Sequence, residues 1–229
     1  MARKKQSDQT LDNKIRILIV DDHPIVRQGL AELVNHEDDF AVCGQAEDYH
    51  EALRAIGQLN PNMAVVDISL KETSGLELIK DIHSQHPDLP VLALSMHDET
   101  LYAERALRAG AMGYIMKQEA TENVIAAIRK ILGGEIYVSD RMASRMVRKL
   151  VAGQTVTNAS SVDCLSDREL EVFRLIGKGH GTRQISERLC LSVKTIETYR
   201  AHIKDKLNLA DAAELLQYAI QSVSSCGDQ

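Results

Sequence analysis

Asp67 closes a short apolar run, Met63-Ala-Val-Val66, and is followed by Ile68 and Ser69. Asp21 and Asp22 follow Ile17-Leu-Ile-Val20, Ser95 follows Val91-Leu-Ala-Leu94, and Lys117 follows Gly113-Tyr-Ile-Met116. Four apolar runs thus end on polar side chains. Short runs of this kind, rich in β-branched residues, suit strands buried on both faces of a parallel sheet. Open α/β sheets bind their ligands at the carboxyl ends of such strands. Three carboxylates gathered at one rim repel each other unless a cation joins them. An oxygen-rich site with few protein ligands, and room for water and phosphate oxygens, suits Mg2+. A carboxylate beside Mg2+ can attack a phosphoryl group and become an aspartyl-phosphate. That transfer requires in-line positioning and neutralisation of the equatorial oxygens, which the Ser95 hydroxyl and the Lys117 ammonium could supply. Taken alone, Asp21-Asp22 also reads as the acidic start of a helix opening on Pro24, where carboxylates are favoured anyway.

The elements that must position these residues alternate five times. Ile15–Val20 reads as a strand and Pro24–Asn35 as a helix, with Val26, Leu30, Leu33 and Val34 at helical spacing. A strand at Phe40–Ala46 precedes a helix at Tyr49–Leu59, and Met63–Asp67 precedes a helix at Gly75–Gln85. Pro90–Ser95 leads to a helix at Thr100–Arg108 with its closing Gly110, and Gly113–Met116 to a helix at Thr121–Leu132. Strands alternating with helices pair in parallel through right-handed crossovers. The predicted fold of this half is a five-stranded parallel sheet with helices on both faces.

The 229 residues leave room for a second domain. The net charge of −6 is unevenly spread: Lys14 to Gly133 holds 11 Lys and Arg against 19 Asp and Glu, and Lys178 to Lys206 holds 7 against 3. A basic segment beside an acidic half suggests a domain that faces a polyanion. No apolar run reaches the ~20 residues needed to cross a bilayer. The charged N-terminus has no apolar core, so no signal peptide is expected. Cys43, Cys164, Cys190 and Cys226 show no paired spacing, which points to reduced thiols, a cytoplasmic location and no zinc site.

After Leu165 every pattern is helical. Ser166-Asp-Arg-Glu169 is a capping box, Thr182 is placed to cap a short helix, and Ser192 to cap a longer, basic one. Two helices joined by a tight turn, the second long and basic, read as a helix-turn-helix. The domain boundaries that follow are 14–134, a linker at 135–163 made of a helix and a flexible segment, and 164–224.

With these residues in view, 14–133 resembles a bacterial response-regulator receiver domain and 165–222 a LuxR-type DNA-binding domain; together they resemble the NarL/FixJ subfamily of two-component transcription factors. The matching residues are Asp21-Asp22-His-Pro24, Asp67 with Gly75 eight positions on, Ser95, and Gly110-Ala-Met-Gly-Tyr114-Ile-Met-Lys117. In the second half they are Leu165-Ser-Asp-Arg-Glu169, Gly179, Ile185, Leu189, Leu191-Ser192, Lys194-Thr195-Ile196, Lys206 and Leu207. The resemblance implies that Asp67 accepts phosphate from a sensor histidine kinase. It implies that Asp22, Asp67 and the Ser69 carbonyl hold Mg2+ with Asp21 assisting through water, that Ser95 and Lys117 meet the phosphoryl oxygens, and that Tyr114 turns inward behind Ser95 as a switch. The loop after Asp67 departs from the family in having Leu70-Lys71 where Met-Pro is common, and His97 stands where such proteins tune hydrolysis.

For the helix-turn-helix, spacing places Lys194, Glu197, Thr198, Ala201 and Asp205 on one helical face. Glu197, Thr198 and Ala201 are candidates for base edges, and Lys194, Arg200, Lys204 and the first-turn amides near Thr182 for phosphates, with Thr195 also in the DNA-binding set. A domain this small reads few base pairs, so a homodimer on promoter DNA is expected when the chain is phosphorylated, with RNA polymerase as a further partner. The final helix could supply a dimer seam through Leu215, Tyr218 and Ile220, or simply close the small core. The reading is a DNA-binding regulator, not a turnover enzyme. Its rivals are a Mg2+-dependent phosphohydrolase using Asp67, against which the absence of a second acid beside Asp67 speaks, and a phosphate-independent DNA-binding protein whose receiver is an interaction module.

Overall fold

The computed structural model describes residues 14–70, 74–96, 99–151, 161–189 and 191–227. The leader before Lys14, residues 152–160 of the segment expected to be flexible, Lys71 and His97 lie outside them. The chain divides into two compact units, the division falling between Met146 and Val147.

The first unit is five βα repeats: β1 Ile15–Val20, α1 Pro24–His36, β2 Phe40–Ala46, α2 Tyr49–Leu59, β3 Met63–Asp67, α3 Gly75–Gln85, β4 Val91–Ser95, α4 Glu99–Arg108, β5 Gly113–Met116 and α5 Ala120–Leu132. The strands pair in parallel in the order β2-β1-β3-β4-β5, the flavodoxin-like arrangement. β3 and β4 are buried along their whole length, which explains their unbroken apolar sequence. Side chains alternate across a strand, and Ile17, Ile19, Met63, Val65, Leu92 and Leu94 share one core with α1 and α5. Burying each such side chain contributes about 1.5–3 kcal/mol.

Local chemistry sets the helix ends. Asp48 caps α2 by accepting the Glu51 N–H, and Ser74 caps α3 by accepting from Leu76. The α4 exit turns at Gly110, whose φ of +106° suits glycine; an added Cβ would also lie 2.4 Å from the His83 ring. After α5 the chain returns beside β5, where Tyr114 N–H donates to the Tyr137 carbonyl at 2.8 Å and Tyr137 N–H to Met112 at 2.9 Å. That short pairing covers part of an edge strand.

A helix at Asp140–Val151 (α6) spans the division between the units. The second unit opens on a 3-10 turn at Ser161–Cys164 and continues as α7 Asp167–Gly177, α8 Thr182–Arg188, α9 Val193–Leu207 and α10 Ala212–Gly227. Its core gathers Leu165, Leu170, Val172, Phe173, Ile176, Ile185, Ile196, Ile203, Leu215 and Ala219. The Ser166 capping box is complete, with the hydroxyl and the Glu169 carboxylate each accepting the other residue's N–H. Thr182 is not a cap: it is the first helical residue of α8, and Gly181 holds the cap position with its N–H donated to Gln184. Gln184 satisfies the N–H of the cap residue itself and leaves the first helical N–H groups without a capping hydroxyl. Leu215 is enclosed in the core, and Tyr218 lies against Phe173 with ring centres 5.9 Å apart. α10 instead leaves Leu216 and Ile220 exposed, one turn apart.

Candidate functional site

β1 and β3 are neighbours, so Asp21-Asp22 and Asp67 leave the sheet side by side; β4 and β5 bring Ser95 and Lys117 to the same rim. Asp21, Asp67 and Ser95 are wholly buried and Asp22 nearly so. Lys117 reaches across this group. Its Nζ lies 2.6 Å from Asp67 Oδ2 and 2.7 Å from Asp21 Oδ2, with only 4% of the side chain exposed. Its backbone N–H donates to the Ser95 carbonyl at 2.7 Å, locking the ends of β4 and β5 together. The Ser69 N–H donates to Asp67 Oδ1 at 3.0 Å. Tyr114 is buried one strand away.

The electrostatics are unbalanced. Burial pushes the Asp67 carboxyl above its ordinary range; Lys117 opposes this and Asp21 reinforces it. Burial alone would lower the Lys117 ammonium, but Asp67 and Asp21 reverse that and hold it above its usual value. Three carboxylates share the rim with one ammonium that contacts two of them, and Asp22 Oδ1 lies 2.7 Å from the His23 ring. An excess of buried negative charge fits a divalent cation held by oxygen donors.

Close packing fixes the end of β3. A Cβ on Gly75 would lie 2.0 Å from the Asp67 carbonyl oxygen and 2.6 Å from Ile68 Cα. Only glycine lets α3 start this near the strand end, and its N–H donates to the Ile68 carbonyl at 3.0 Å. Two further residues belong to the rim and had no assigned role in the sequence. His23 donates its N–H to Asp21 Oδ1 at 2.8 Å. Arg27, one turn into α1, donates to the Asp21 carbonyl and stands 3.9 Å from Glu47. Their signal was the position of a histidine beside the acidic pair and an arginine one turn later.

In the second unit, Ser192 caps α9 through the Thr195 N–H. Thr195 Oγ1 also lies 2.8 Å from Ser192 Oγ, so that side chain is engaged in the cap and is half-buried. Lys194, Glu197, Thr198 and Ala201 lie exposed along one face, with Arg200 and Lys204 half-buried beside them and Thr182 half-buried at the start of α8. Thr198 donates its hydroxyl to the Lys194 carbonyl at 3.0 Å, leaving oxygen lone pairs outward. α9 is seated on α7 by Glu169: Lys206 Nζ is 2.6 Å and His202 Nδ1 3.8 Å from its carboxylate.

A family model described as the response regulator receiver domain matches residues 17–129, and one described as bacterial regulatory proteins of the luxR family matches residues 163–219. The oxygen regulatory protein NreC of Staphylococcus carnosus is 38% identical over 212 residues, covering 90% of this chain and 97% of its own. NreC of Staphylococcus aureus is 36% identical over 211 residues with the same coverage. Among solved structures, the RcsB response regulator of Salmonella typhimurium is 27% identical with a TM-score of 0.62, covering 92% of this chain and 98% of that one. RcsB from Salmonella enterica serovar Typhimurium bound to promoter rprA with the phosphomimetic BeF3− is also 27% identical, with a TM-score of 0.57 over 90% of this chain and 98% of that one.

Proposed function

Because the chain belongs to the response regulators that join a receiver domain to a LuxR-type DNA-binding domain, we propose that Asp67 is its phosphoacceptor and that phosphate there controls promoter binding by α9. The observation that carries this reading is the buried Lys117 ammonium shared between Asp67 and Asp21. In the proposed transfer an Asp67 oxygen attacks phosphorus, the P–N bond of a kinase phosphohistidine breaks, and a P–O bond forms. Lys117 is already placed to neutralise charge on the arriving phosphoryl oxygens. Ser95, at the end of the adjacent strand, donates its hydroxyl to one of them. Gly75 and the Ser69 N–H hold the Asp67 carboxylate in position. Asp21, Asp22, Asp67 and the Ser69 carbonyl would hold Mg2+, which when bound supplies the remaining charge neutralisation. Tyr114, behind Ser95, transmits the change to the α4–β5 surface.

The DNA reading follows from the second unit. Lys194, Arg200, Lys204 and Thr182 contact phosphates, Thr195 holds the cap, and Glu197, Thr198 and Ala201 face base edges. Exposed Leu216 and Ile220 on α10 support a homodimer on a repeated half-site. The chain receives one phosphoryl group and loses it slowly, acting in the cytoplasm as a regulator and not as a turnover enzyme. Among the described residues no helix is long and apolar enough to cross a membrane.

The test is DNA selection from a random pool, with and without beryllofluoride and Mg2+, for the native chain and Asp67→Ala. Enrichment of a repeated half-site only with the mimic, and lost in Asp67→Ala, is expected. Equal enrichment in all samples would remove phosphate control and leave DNA binding standing.

A further inference from the structure

The chain after α5 is bonded both to β5, beside the buried Tyr114, and to the start of α4. Tyr137 forms a parallel bridge with Gly113, and its carbonyl accepts the Tyr114 N–H at 2.8 Å. A Cβ on Gly113 would lie 2.9 Å from that carbonyl oxygen, so a side chain there would push the pairing apart. The Lys130 ammonium of α5 lies 5.6 Å from the centre of the Tyr137 ring, within reach of a cation–π contact. Two residues on, the Ser139 hydroxyl donates at 2.7 Å to Oε1 of Glu99, the first residue of α4.

Ser139 does this while capping α6. Its Oγ accepts the Met142 N–H at 3.1 Å and its carbonyl accepts the Ala143 N–H at 2.9 Å, as an N-cap residue ahead of Asp140 should. A hydroxyl has one proton and two lone pairs, so one oxygen serves both contacts, a lone pair for α6 and the proton for α4. The Glu99 carboxylate charge strengthens the second bond beyond one between neutral groups. Ser139 and Glu99 are half-buried, and Met142, in the first turn of α6, is buried. Glu99 stands four positions after Ser95, the residue whose carbonyl accepts the Lys117 N–H. The first turn of α6 is thus fastened to α4, and the stretch before it to β5.

We propose that the Ser139 hydroxyl is a latch between α4 and the linker helix α6, closed in the unphosphorylated chain and opened by phosphate on Asp67. The inference rests on the reading of Asp67 as phosphoacceptor and of Ser95 as a contact of the phosphoryl oxygens. Ser95 moving toward the phosphoryl group draws the start of α4 with it, and Glu99 leaves the Ser139 hydroxyl. Ser139 keeps its cap on α6, but the first turn of that helix loses its tie to α4 and opens more often. The signal that reaches the linker is therefore a change in the stability of α6, set at a single hydroxyl.

The test is limited trypsin digestion of the full-length chain, with mass spectrometry following cleavage after Arg145 of α6. Trypsin cuts a helix where it opens, so the cleavage rate follows the opening ratio. Beryllofluoride added over Mg2+ is the probe, and a rise in the thermal midpoint of the first unit shows that it binds. In the native chain the probe should raise cleavage about fivefold or more, the change in opening ratio that loss of one net hydrogen bond gives. Glu99→Ala removes the acceptor. Ser139→Asp keeps a capping side chain but sets two carboxylates against each other. Both variants should be cut at the raised rate without the probe and gain nothing from it. A probe that raises the midpoint but leaves native cleavage unchanged overturns the latch. So does either variant being cut at the native rate or keeping the full response. Those outcomes leave the phosphoacceptor reading standing. A probe that fails to raise the midpoint removes that reading, and the latch with it.

Discussion

At the residue scale the rim is a charge problem that Lys117 half solves. Two carboxylates contact its ammonium and a third does not. Lys117→Met should therefore destabilise the first unit by about 3 kcal/mol, as removal of one partner from a buried ion pair does, read as a shift in the urea midpoint. Asp67→Asn should do the opposite. The Asp67 carboxyl is held above its ordinary range by burial, so the folded state favours its neutral form. The stability this group contributes is present below its unfolded pKa and lost as pH rises through the folded value. Replacing it with a neutral amide should raise the thermal midpoint at pH 7 in the absence of divalent ions. Gly75 is the second sharp residue. Gly75→Ala drives a methyl against the backbone at the end of β3 and should cost more than about 3 kcal/mol, or fail to fold, in the same denaturation assay. The carboxylates, Ser95 and Lys117 were legible in the sequence because each ends an apolar run. His23 was legible only as a motif letter, since its contacts with Asp21 and Asp22 are set by the turn after β1, which spacing does not encode. Thr182 misled because hydroxyl residues are frequent caps and the backbone here put glycine in that place.

At the scale of elements, hydrophobic period located the strands and helices of the first unit to within a residue or two, with β4, α1, α4 and α5 differing slightly at their ends, whereas α10, expected at Asp211–Ser222, runs on to Gly227. Ends are set by caps and carbonyl partners, which periodicity does not record. The seat of α9 was not legible at all. Glu169 belongs to the capping box of α7, yet its carboxylate also receives Lys206 from thirty-seven residues on. Burial would raise the Glu169 carboxyl, but Lys206 and the Ser166 contacts outweigh it and hold it below the ordinary 4.5. A carboxylate depressed in the folded state contributes stability above its unfolded pKa and loses it as pH falls through the folded one. The second unit should thus weaken as pH drops below about 4.5, with helical circular dichroism as the readout. Lys206→Met should flatten that dependence and lower the midpoint at pH 7.

At the scale of the whole molecule, the division at Met146–Val147 separates an acidic unit from a locally basic helix-turn-helix. A ligand that binds one folded unit raises that unit's stability by mass action. Mg2+ at about 100 times its dissociation constant should contribute about 2.7 kcal/mol to the first unit. Calorimetry should show the transition of the first unit moving and that of the second unmoved, with Asp22→Asn abolishing the shift. A shift in both transitions would mean that the units do not melt independently.

The sheet order also has a practical consequence. β3 lies in the middle, bonded on one side to β1 and on the other to β4, and is buried throughout. Amides in such a strand exchange with solvent deuterium only when the domain opens completely. The peptide that carries Asp67 is therefore a built-in gauge of the first unit's total stability. Its mass gain over time, compared with and without a cation or phosphate mimic, would report how strongly each one stabilises the folded unit.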